Sequence, residues 1–328
     1  MTKLSIVIPN YNNEKFIGLC IKSILNQSFD DYEIFVIDDG SCDKSLEIIE
    51  SLAKDNKKIT IISQFNQNAS IARNKGLEKA SGEYIYFIDG DDYLNDVDVL
   101  DKMINKIGDN DLLLCNYNII NEDNKIIDSY EVSKDLIDNA DNNIEKYAFV
   151  SAVPSNKLFK ASIIKENNIY FDNVDIGQDL NFYIKYLACC NKITVTNDYS
   201  YCYRRTSTGM TRNINYNLLD IVKSVECIKK FYLSNGVDKK NENVINALGI
   251  INYSVQMNKL EKFDNKEDKK FIYNYFNYFI KKIYIEKEYV DRNKKLKKTI
   301  KLYRIKRMMK VLFLSKYYSK IKAIILKS

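Results

Sequence analysis

The sequence predicts an α/β protein, with a mostly parallel sheet that carries helices on both faces and a C-terminal region built of helices. In the first 95 residues, short apolar segments rich in β-branched and aromatic residues alternate with segments of helical spacing. From about residue 215 the strand pattern stops, and long amphipathic segments rich in Lys, Asn and Tyr follow. We therefore expect two domains, residues 1–214 and 215–328.

The elements of the first domain follow from these patterns in chain order. Four strands are predicted, at Leu4–Ile8, Tyr32–Ile37, Lys58–Ile62 and Tyr84–Ile88. Three helices are predicted between them, at residues 11–27, 43–54 and 69–80, with Asp43 as an N-cap and Gly82 as a stop signal. Beyond these, the pattern predicts a hydrophilic hairpin after Leu112–Cys115 up to about residue 143, a short strand and a helix within 155–172, and a helix over Leu180–Cys190.

The fourth strand ends in an acidic cluster, Asp89-Gly90-Asp91-Asp92. Carboxylates this close together repel one another and raise each other's pKa unless a positive group lies among them. A divalent cation with oxygen ligands satisfies that need, and Mg²⁺ or Mn²⁺ fits because such ions are held by one or two carboxylates plus a substrate phosphate. The alternative is an acidic loop that caps the next helix.

Polar residues also follow two other predicted strands. Asn10 follows the first strand, and Asp38 and Asp39 follow the second. Because ligands of open parallel sheets bind at the carboxyl ends of the strands, these residues and the acidic cluster predict one site at one edge. The sequence has neither a GxGxxG after the first strand nor a GxxxxGK[ST], so a dinucleotide site and a P-loop are not supported.

Composition excludes several kinds of chemistry. The chain has no His, which excludes His-based triads, His metal ligands and His general bases. Its seven Cys are scattered without a CxxC pair, as expected of reduced thiols in a cytoplasmic protein. No apolar run reaches 18 residues, and the first strand begins at Leu4, so neither a transmembrane helix nor a signal peptide is predicted.

Six ordered motifs of the first domain resemble those of family 2 glycosyltransferases, which have the GT-A fold, a Rossmann-like mixed sheet. The resemblance covers about residues 3–212, with a nucleotide-sugar half over 1–95 and an acceptor half over 96–214, and does not extend to 215–328. The motifs are Ser5–Asn12, Asp38–Asp43, Ala72–Leu77, Phe87–Asp92, Gly177–Asp179 and Tyr203–Arg205.

The resemblance implies an inverting transfer of a sugar from a nucleotide-diphosphate sugar, here a UDP-sugar, to an acceptor hydroxyl in bacterial glycan synthesis. The diphosphate leaving group needs a cation and positive side chains, and the acceptor hydroxyl needs a base. The acceptor is left open between a glycan, a lipid-linked molecule and a protein.

The resemblance also assigns roles to residues of the donor site. Asp91 is implied as the metal ligand, with Asp92 able to exchange roles with it, and Asp89 is directed to the ribose or the donor sugar. Asp39 is expected to contact the base and ribose of the nucleotide. Either Arg204 or Arg205 is expected to face the diphosphate. The full set implied for nucleotide or donor binding is Pro9, Asn10, Tyr11, Asp38, Asp39, Arg73, Asp89, Gly90, Arg204 and Arg205.

Asp179 matches the position of the catalytic base, with Glu166 and Asp175 next in line. By spacing alone it also suits an acid in the first turn of a helix. Gln178 stands where many relatives have Glu, which removes one negative neighbour of Asp179. We expect a modest effect from Gln178→Glu, because Gln keeps the size and one acceptor.

Three other functions compete with this interpretation. A catalytically inactive nucleotide-sugar-binding module is favoured only by Gln178. A phospho-receiver or metal phosphatase also uses acids at strand ends, but the paired Asp residues here follow the second strand and not the first. A nucleic-acid-binding protein is disfavoured by the acidic body of the chain and by a tail without a recognition-helix pattern.

The charge is distributed unevenly along the chain. The net charge is +6, yet residues 292–328 hold 14 Lys and Arg and no acid, which leaves residues 1–291 with a net charge of −8. Such a basic segment predicts a helix that lies on an anionic membrane, at the inner face of the cell membrane. The alternative is that the helix packs on preceding helices or on a second copy of the chain. The apolar side is formed by Leu302, Ile305, Met309, Leu312 and Phe313, flanked by Lys301, Arg304, Lys306, Arg307 and Lys310.

Overall fold

A computed structural model describes residues 2–138, 144–206, 216–236, 241–260, 263, 265–294 and 296–302. The chain divides into two compact units, residues 1–213 and 214–328. The predicted boundary was 214/215.

Unit 1 contains one mixed sheet of nine strands in the order β3-β2-β1-β4-β8-β6-β9-β5, with β7 paired to β6. The strands β1 to β4 are parallel to one another, as the alternation of strands and helices predicted. In the other half only β6 and β9 are parallel. The strands are β1 Leu4–Asn10, β2 Tyr32–Asp38, β3 Ile59–Ser63, β4 Tyr84–Phe87, β5 Tyr93–Leu94, β6 Leu112–Ile120, β7 Ile126–Tyr130, β8 Lys157–Lys160 and β9 Ile193–Arg204.

Eight helices of unit 1 lie within the described residues. The predicted helices over 43–54, 69–80 and 180–190 are present within one or two residues at most ends, and the predicted hairpin is β6–β7. The sequence patterns missed β5, α4, α5 and α6, and α5 lies in the stretch up to residue 143 that was assigned to the hairpin. The helices are α1 Ile17–Leu25, α2 Ser45–Ala53, α3 Ala69–Lys79, α4 Val99–Ile107, α5 Lys134–Asp138, α6 Ile144–Tyr147, α7 Ala161–Glu166 and α8 Gln178–Cys189.

Helix α1 begins six residues later than predicted, because other partners take the backbone N–H groups of the preceding segment. The amides of Asn12, Asn13 and Glu14 donate to the side chains of Ser41, Ser45 and Asp43. The same Asp43 accepts from the amide of Ser45, the first residue of α2, at 2.9 Å, while the N-cap position is Lys44, one residue after the predicted one. The loops after β1 and β2 are thereby tied together at the edge of the sheet.

An aromatic cluster holds β4, β8 and α8 together. Phe87 on β4 lies edge-on to Phe159 on β8 and to Phe182 on α8, with ring centroids 5.9 and 5.6 Å apart. Phe171 stacks on Phe182 at 4.1 Å. All four side chains are buried. Aromatic pairs of this kind add about 0.5–1.5 kcal/mol each beyond their buried area. The cluster therefore fixes helix α8 against the strand that precedes the acidic cluster.

Unit 2 is helical in the residues that the structure describes, as its amphipathic pattern predicted. Its helices are α9 Asp220–Ser234, α10 Glu242–Lys259, α11 Lys266–Lys282 and α12 Lys287–Arg292. Tyr253 on α10 stacks on Phe276 of α11, with centroids 5.9 Å apart. Among the helices described in either unit, none has the length and apolar character needed to cross a bilayer.

The predicted membrane-binding helix falls almost wholly outside the described residues. Of the ten residues named for its apolar and basic sides, only Lys301 and Leu302 are described. The positions from Arg304 to Phe313, which carry the rest of the basic and apolar pattern, lie beyond that part of the chain, and the membrane surface and the homodimer stay predictions.

Candidate active site at the carboxyl edge of the sheet

The carboxyl ends of β1 and β2 lie side by side, with Asn10 in register with Asp38. Both side chains are buried. Asn10 Nδ2 donates to Asp38 Oδ1 at 3.0 Å, and Ser41 donates to the same carboxylate through its hydroxyl at 2.6 Å and its amide at 3.1 Å. Asp38 therefore orders the loop after β2.

Asp39 holds the loop between β3 and α3. Its Oδ1 accepts from Gln64 Nε2 at 2.6 Å and from the amide of Gln67 at 2.9 Å, and its Oδ2 accepts from the amide of Asn68 at 2.9 Å. Asn68 in turn caps α3, because its side chain accepts from the amides of Ser70 and Ile71. The carboxylate expected to contact the nucleotide thus sets the position of the helix that carries Arg73.

Two glycines permit close packing at this edge. A Cβ on Gly90 would lie 2.8 Å from the side-chain oxygen Oδ1 of Asn10, so a larger residue there would displace the Asn10 side chain. Gly40 has φ +74°, and a Cβ there would meet the amide nitrogen of Asn66 at 3.0 Å. Of the neighbouring residues predicted for the donor site, Pro9 is buried in β1 and Tyr11 is about half exposed, at 47%.

Arg73 joins the acidic cluster to the predicted base. The side chain of Arg73 is only 4% exposed. Its Nη2 lies 2.6 Å from Asp89 Oδ1, and its Nη1 lies 3.4 Å from Asp179 Oδ1. The carboxylates of Asp89 and Asp179 are each one-third exposed. Asp89 and Asp179, which are 90 positions apart in the sequence, therefore share one guanidinium at the carboxyl edge of the sheet.

The environment of Asp179 suits a proton acceptor. Burial raises the pKa of Asp179 and Asp89 raises it further, while the charges of Arg73 and Lys157 act in the opposite direction. A carboxylate with a raised pKa takes a proton more readily, and catalysis is best when the pKa of the base lies near the working pH. Its Oδ1 has no hydrogen-bond partner among the described residues, although it is ion-paired with Arg73.

Gln178 is buried at the start of α8, where its Oε1 accepts from the hydroxyl of Ser70 at 2.6 Å. Ser70 belongs to the first turn of α3, so this hydrogen bond links the helix of Arg73 to the helix of Asp179. A Glu at this position could accept the same hydrogen bond, but it would place a buried carboxylate next to that of Asp179.

The protein around Asp91 and Asp92 disfavours the ionised form of both carboxyl groups. Burial and then the charge of Asp89 raise the pKa of Asp91 to about 6. Burial and the charges of Asp91 and Asp89 raise the pKa of Asp92 well above its usual range. Asp92 Oδ1 accepts from the amide of Arg204 at 2.8 Å, but its buried Oδ2 has no hydrogen-bond partner among the described residues.

These carboxylates fit a hard divalent cation that takes its other ligands from a substrate. The described residues contain no group of three or more His, Cys, Asp or Glu side chains arranged to hold a metal ion by themselves. Mg²⁺ is usually held by one or two carboxylates plus substrate phosphates and water, which Asp91 and the free oxygen of Asp92 could supply. Metal binding stays a prediction.

The two consecutive arginines lie in different environments. Arg204 is buried, and its Nε donates to the carbonyl of Asp91 at 2.8 Å while its Nη1 donates to the carbonyls of Asn121 and Glu122. Its guanidinium lies 4.3 Å from the centroid of the Phe16 ring. Arg205 is exposed and lies 4.0 Å from Asp128. Arg204 therefore supports the acidic cluster from within the protein, and Arg205 is the more accessible of the two for a diphosphate.

We expect Arg204→Ala to destabilise unit 1 by about 3–5 kcal/mol, because it leaves the carbonyls of Asp91, Asn121 and Glu122 without their donor and removes the buried charge that opposes the repulsion between Asp91 and Asp92. Arg205→Ala is the matched control, and we expect a loss of about 1 kcal/mol or less, as for surface ion pairs. Thermal unfolding followed by circular dichroism compares the two. Equal midpoints for the two variants would contradict the supporting role of Arg204.

Sequence reasoning missed Lys157, Ser70 and Asn68. Asn68 has a recognisable signal, since it directly precedes the predicted helix and suits an N-cap. Lys157 has a weaker one, a single cation at the start of an apolar strand. The pairing of Ser70 with Gln178 has no local signal, because the two residues lie 108 positions apart.

Solved structures with a similar fold bind nucleotide sugars. The TarS 1–349 structure from S. aureus in complex with UDP-GlcNAc matches with a TM-score of 0.75 and 21% identity, over 97% of this chain and 92% of that one. The mannosyltransferase PcManGT from Pyrobaculum calidifontis, in complex with GDP-Man and Mn²⁺, matches with a TM-score of 0.53 and 13% identity. The match covers 91% of this chain and 85% of that one. The fold is GT-A, as the motifs predicted.

The family follows from the sequence comparison. The sequence model of the family described as "Glycosyl transferase family 2" matches residues 5–167 of this chain. A poly(ribitol-phosphate) beta-glucosyltransferase of Bacillus spizizenii is 32% identical over 220 residues, which are 65% of this chain and 34% of that protein. The chain belongs to glycosyltransferase family 2, as its motifs predicted. The part of this chain that aligns with the first curated relatives covers between about a third and a half of the length of those proteins.

Proposed function

We propose that this protein is an inverting glycosyltransferase that moves a sugar from a nucleotide-diphosphate sugar to an acceptor hydroxyl in bacterial glycan synthesis. The observation that carries the proposal is the pair of carboxylates on Arg73. Asp89 belongs to the acidic motif of the donor side, Asp179 to the motif of the base, and the guanidinium lies 2.6 and 3.4 Å from them. A base beside a donor motif is what transfer to a hydroxyl requires.

A UDP-sugar is the proposed donor. The structural neighbour that covers nearly all of this chain was solved with UDP-GlcNAc. The loop fixed by Asp39 and the exposed ring of Tyr11 are the proposed partners of the base and ribose, because a carboxylate accepts from N–H and hydroxyl groups and a ring can flank a base. Pro9, Asn10 and Asp38 line the same loop cluster.

The chain's own residues account for the steps at the acceptor. Asp179 takes the proton of the attacking hydroxyl, and Arg73 holds the carboxylates of Asp179 and Asp89 at a fixed separation. A bound Mn²⁺ or Mg²⁺, held by Asp91 with Asp92, would supply a positive charge for the diphosphate leaving group. The neighbour PcManGT contains Mn²⁺. Arg205 is the proposed second positive group.

A competing function is a catalytically inactive nucleotide-sugar-binding module, suggested by Gln178 in place of Glu. Its hydrogen bond to Ser70 gives Gln178 a role in joining α3 to α8, which does not require loss of activity. The acceptor is proposed to be a glycan, a lipid-linked molecule or a protein, with residues 292–328 proposed to hold the enzyme at an anionic membrane.

The test is a panel of nucleotide sugars incubated with purified protein and Mn²⁺, with release of nucleoside diphosphate as the readout. We expect release from at least one UDP-sugar, faster when an acceptor hydroxyl is supplied. Binding of UDP-sugars without any release, with or without acceptors, would favour the inactive module.

A further inference from the structure

The buried lysine at the start of β8 is a charged group that the proposed mechanism leaves without a role. Lys157 is fully buried. Its Nζ donates to the carbonyls of Ser151 and Val153 at 2.6 and 2.7 Å and to Asn156 Oδ1 at 2.7 Å. All three donors of the ammonium group are thus used by neutral acceptors. A buried ammonium without a carboxylate in contact is costly, so a stabilising role alone does not account for it.

The same ammonium lies against the helix that carries the proposed base. Lys157 Nζ is 4.5 Å from the centroid of the buried Tyr183 ring. Tyr183 is four residues after Asp179 on α8, and residues at this spacing lie on the same face of a helix. The positive charge therefore lies on the side of α8 that presents Asp179.

We propose that Lys157 is a positioning residue for the base Asp179, fixing the segment 151–156 against α8 and placing behind the carboxylate a positive charge that is present at and below neutral pH. The inference rests on the proposed function. Arg73 is shared between Asp89 and Asp179, so a second cation keeps Asp179 ionised while Arg73 serves the donor side. The ionised carboxylate is the form that can take a proton from the acceptor hydroxyl.

The electrostatics of the two groups agree with this arrangement. Burial lowers the pKa of Lys157 to about 7, while the charge of Asp179 acts in the opposite direction. Conversely, Lys157 and Arg73 oppose the rise that burial and Asp89 cause in the pKa of Asp179. Loss of the lysine charge should therefore raise the pKa of Asp179 further.

The first test is the pH profile of kcat/KM for sugar transfer by the full-length protein. Lys157→Met removes the charge and the hydrogen bonds, and Lys157→Gln removes the charge but keeps a donor. We expect both to move the acid limb of the profile to higher pH, so that kcat/KM at pH 6 falls more than kcat/KM at pH 8. Lys185→Met is the control, since Lys185 is also buried on α8 but pairs with Asp172 at 2.5 Å; its acid limb should match that of the wild type.

The second test does not depend on the folding of the Lys157 variants. In the wild-type protein labelled at lysine Cε, one NMR resonance should titrate near neutral pH, and in Asp179→Asn its midpoint should move to lower pH. A midpoint that does not move, or an acid limb unchanged in folded Lys157 variants, would overturn the inference. Absence of any sugar transfer by the wild type would instead count against the proposed function, and the NMR result would still decide the link between the two residues.

Discussion

Asp179→Asn is expected to lower the rate of sugar transfer by about 10²–10⁴-fold, the usual range for loss of a general base. Asn keeps the size of the side chain but cannot take the proton of the acceptor hydroxyl. The affinity for the donor should stay nearly the same, because Asp89 keeps its 2.6 Å contact with Arg73. Transfer rates at saturating acceptor, together with donor affinity from calorimetry, separate the two effects.

The same variant should not lose stability at neutral pH. The pKa of Asp179 is raised in the folded protein, chiefly by burial. A carboxyl with a raised pKa contributes stability that is present below its unfolded pKa and is lost as the pH rises through its folded pKa. At pH 7.5 the neutral Asn is therefore expected to leave the thermal midpoint unchanged or higher.

The matched controls are Asp175→Asn and Glu166→Gln, the two acids that the sequence offered as alternatives. Both are exposed. We expect each to retain transfer within a few fold of the wild type. If one of them loses the activity while Asp179→Asn keeps it, that acid and not Asp179 is the base.

The sequence predicted the elements that local pattern controls. The strands β1, β2 and β4 were found because buried parallel strands are continuous apolar runs. Helix α3 was found from the stop signal at Gly82, and α8 from apolar residues at helical spacing. Helix α1 was extended too far toward the N-terminus, since the amides that decide its start bind to Ser41, Asp43 and Ser45 on another loop. A local pattern contains no information about such partners.

The same distinction applies to the site. The acids at the strand ends could be predicted to meet, because parallel strands bring their carboxyl ends to one edge. The roles of Arg204 and Arg205 could not be separated, since two adjacent arginines at the end of a strand have equal propensities. Only the tertiary structure shows that Arg204 is buried against Phe16 and the carbonyl of Asp91 while Arg205 faces solvent.

We expect Mn²⁺ with UDP to raise the thermal midpoint of the wild-type protein, and Asp91→Asn to abolish that rise. A ligand at a hundred times its dissociation constant stabilises a folded protein by about 2.7 kcal/mol, which for a domain of this size corresponds to a shift of several degrees. Turnover should fall by about 10²-fold or more, because the cation is assigned several kcal/mol of stabilisation of the leaving group.

The rise in thermal midpoint caused by Mn²⁺ and UDP should depend on pH. The pKa of Asp91 is raised to about 6, by burial and then by Asp89. In the metal-free protein the stability that Asp91 contributes is thus complete below its unfolded pKa and lost as the pH rises through about 6. A cation binds only the ionised form, so the rise in midpoint caused by Mn²⁺ and UDP should be small at pH 5 and large at pH 7.5. Metal-free Asp91→Asn should be at least as stable as the wild type at pH 7.5.

Asp96→Asn is the control, because Asp96 is an exposed acid five residues further along the chain. It should keep both the rise in midpoint and the turnover. Full turnover of the wild type in excess chelator would show that the acidic cluster acts without a metal. In that case the raised pKa of Asp91 and the free oxygen of Asp92 would reflect carboxylates neutralised by protons, and the positive charge for the leaving group would have to come from Arg73 and Arg205.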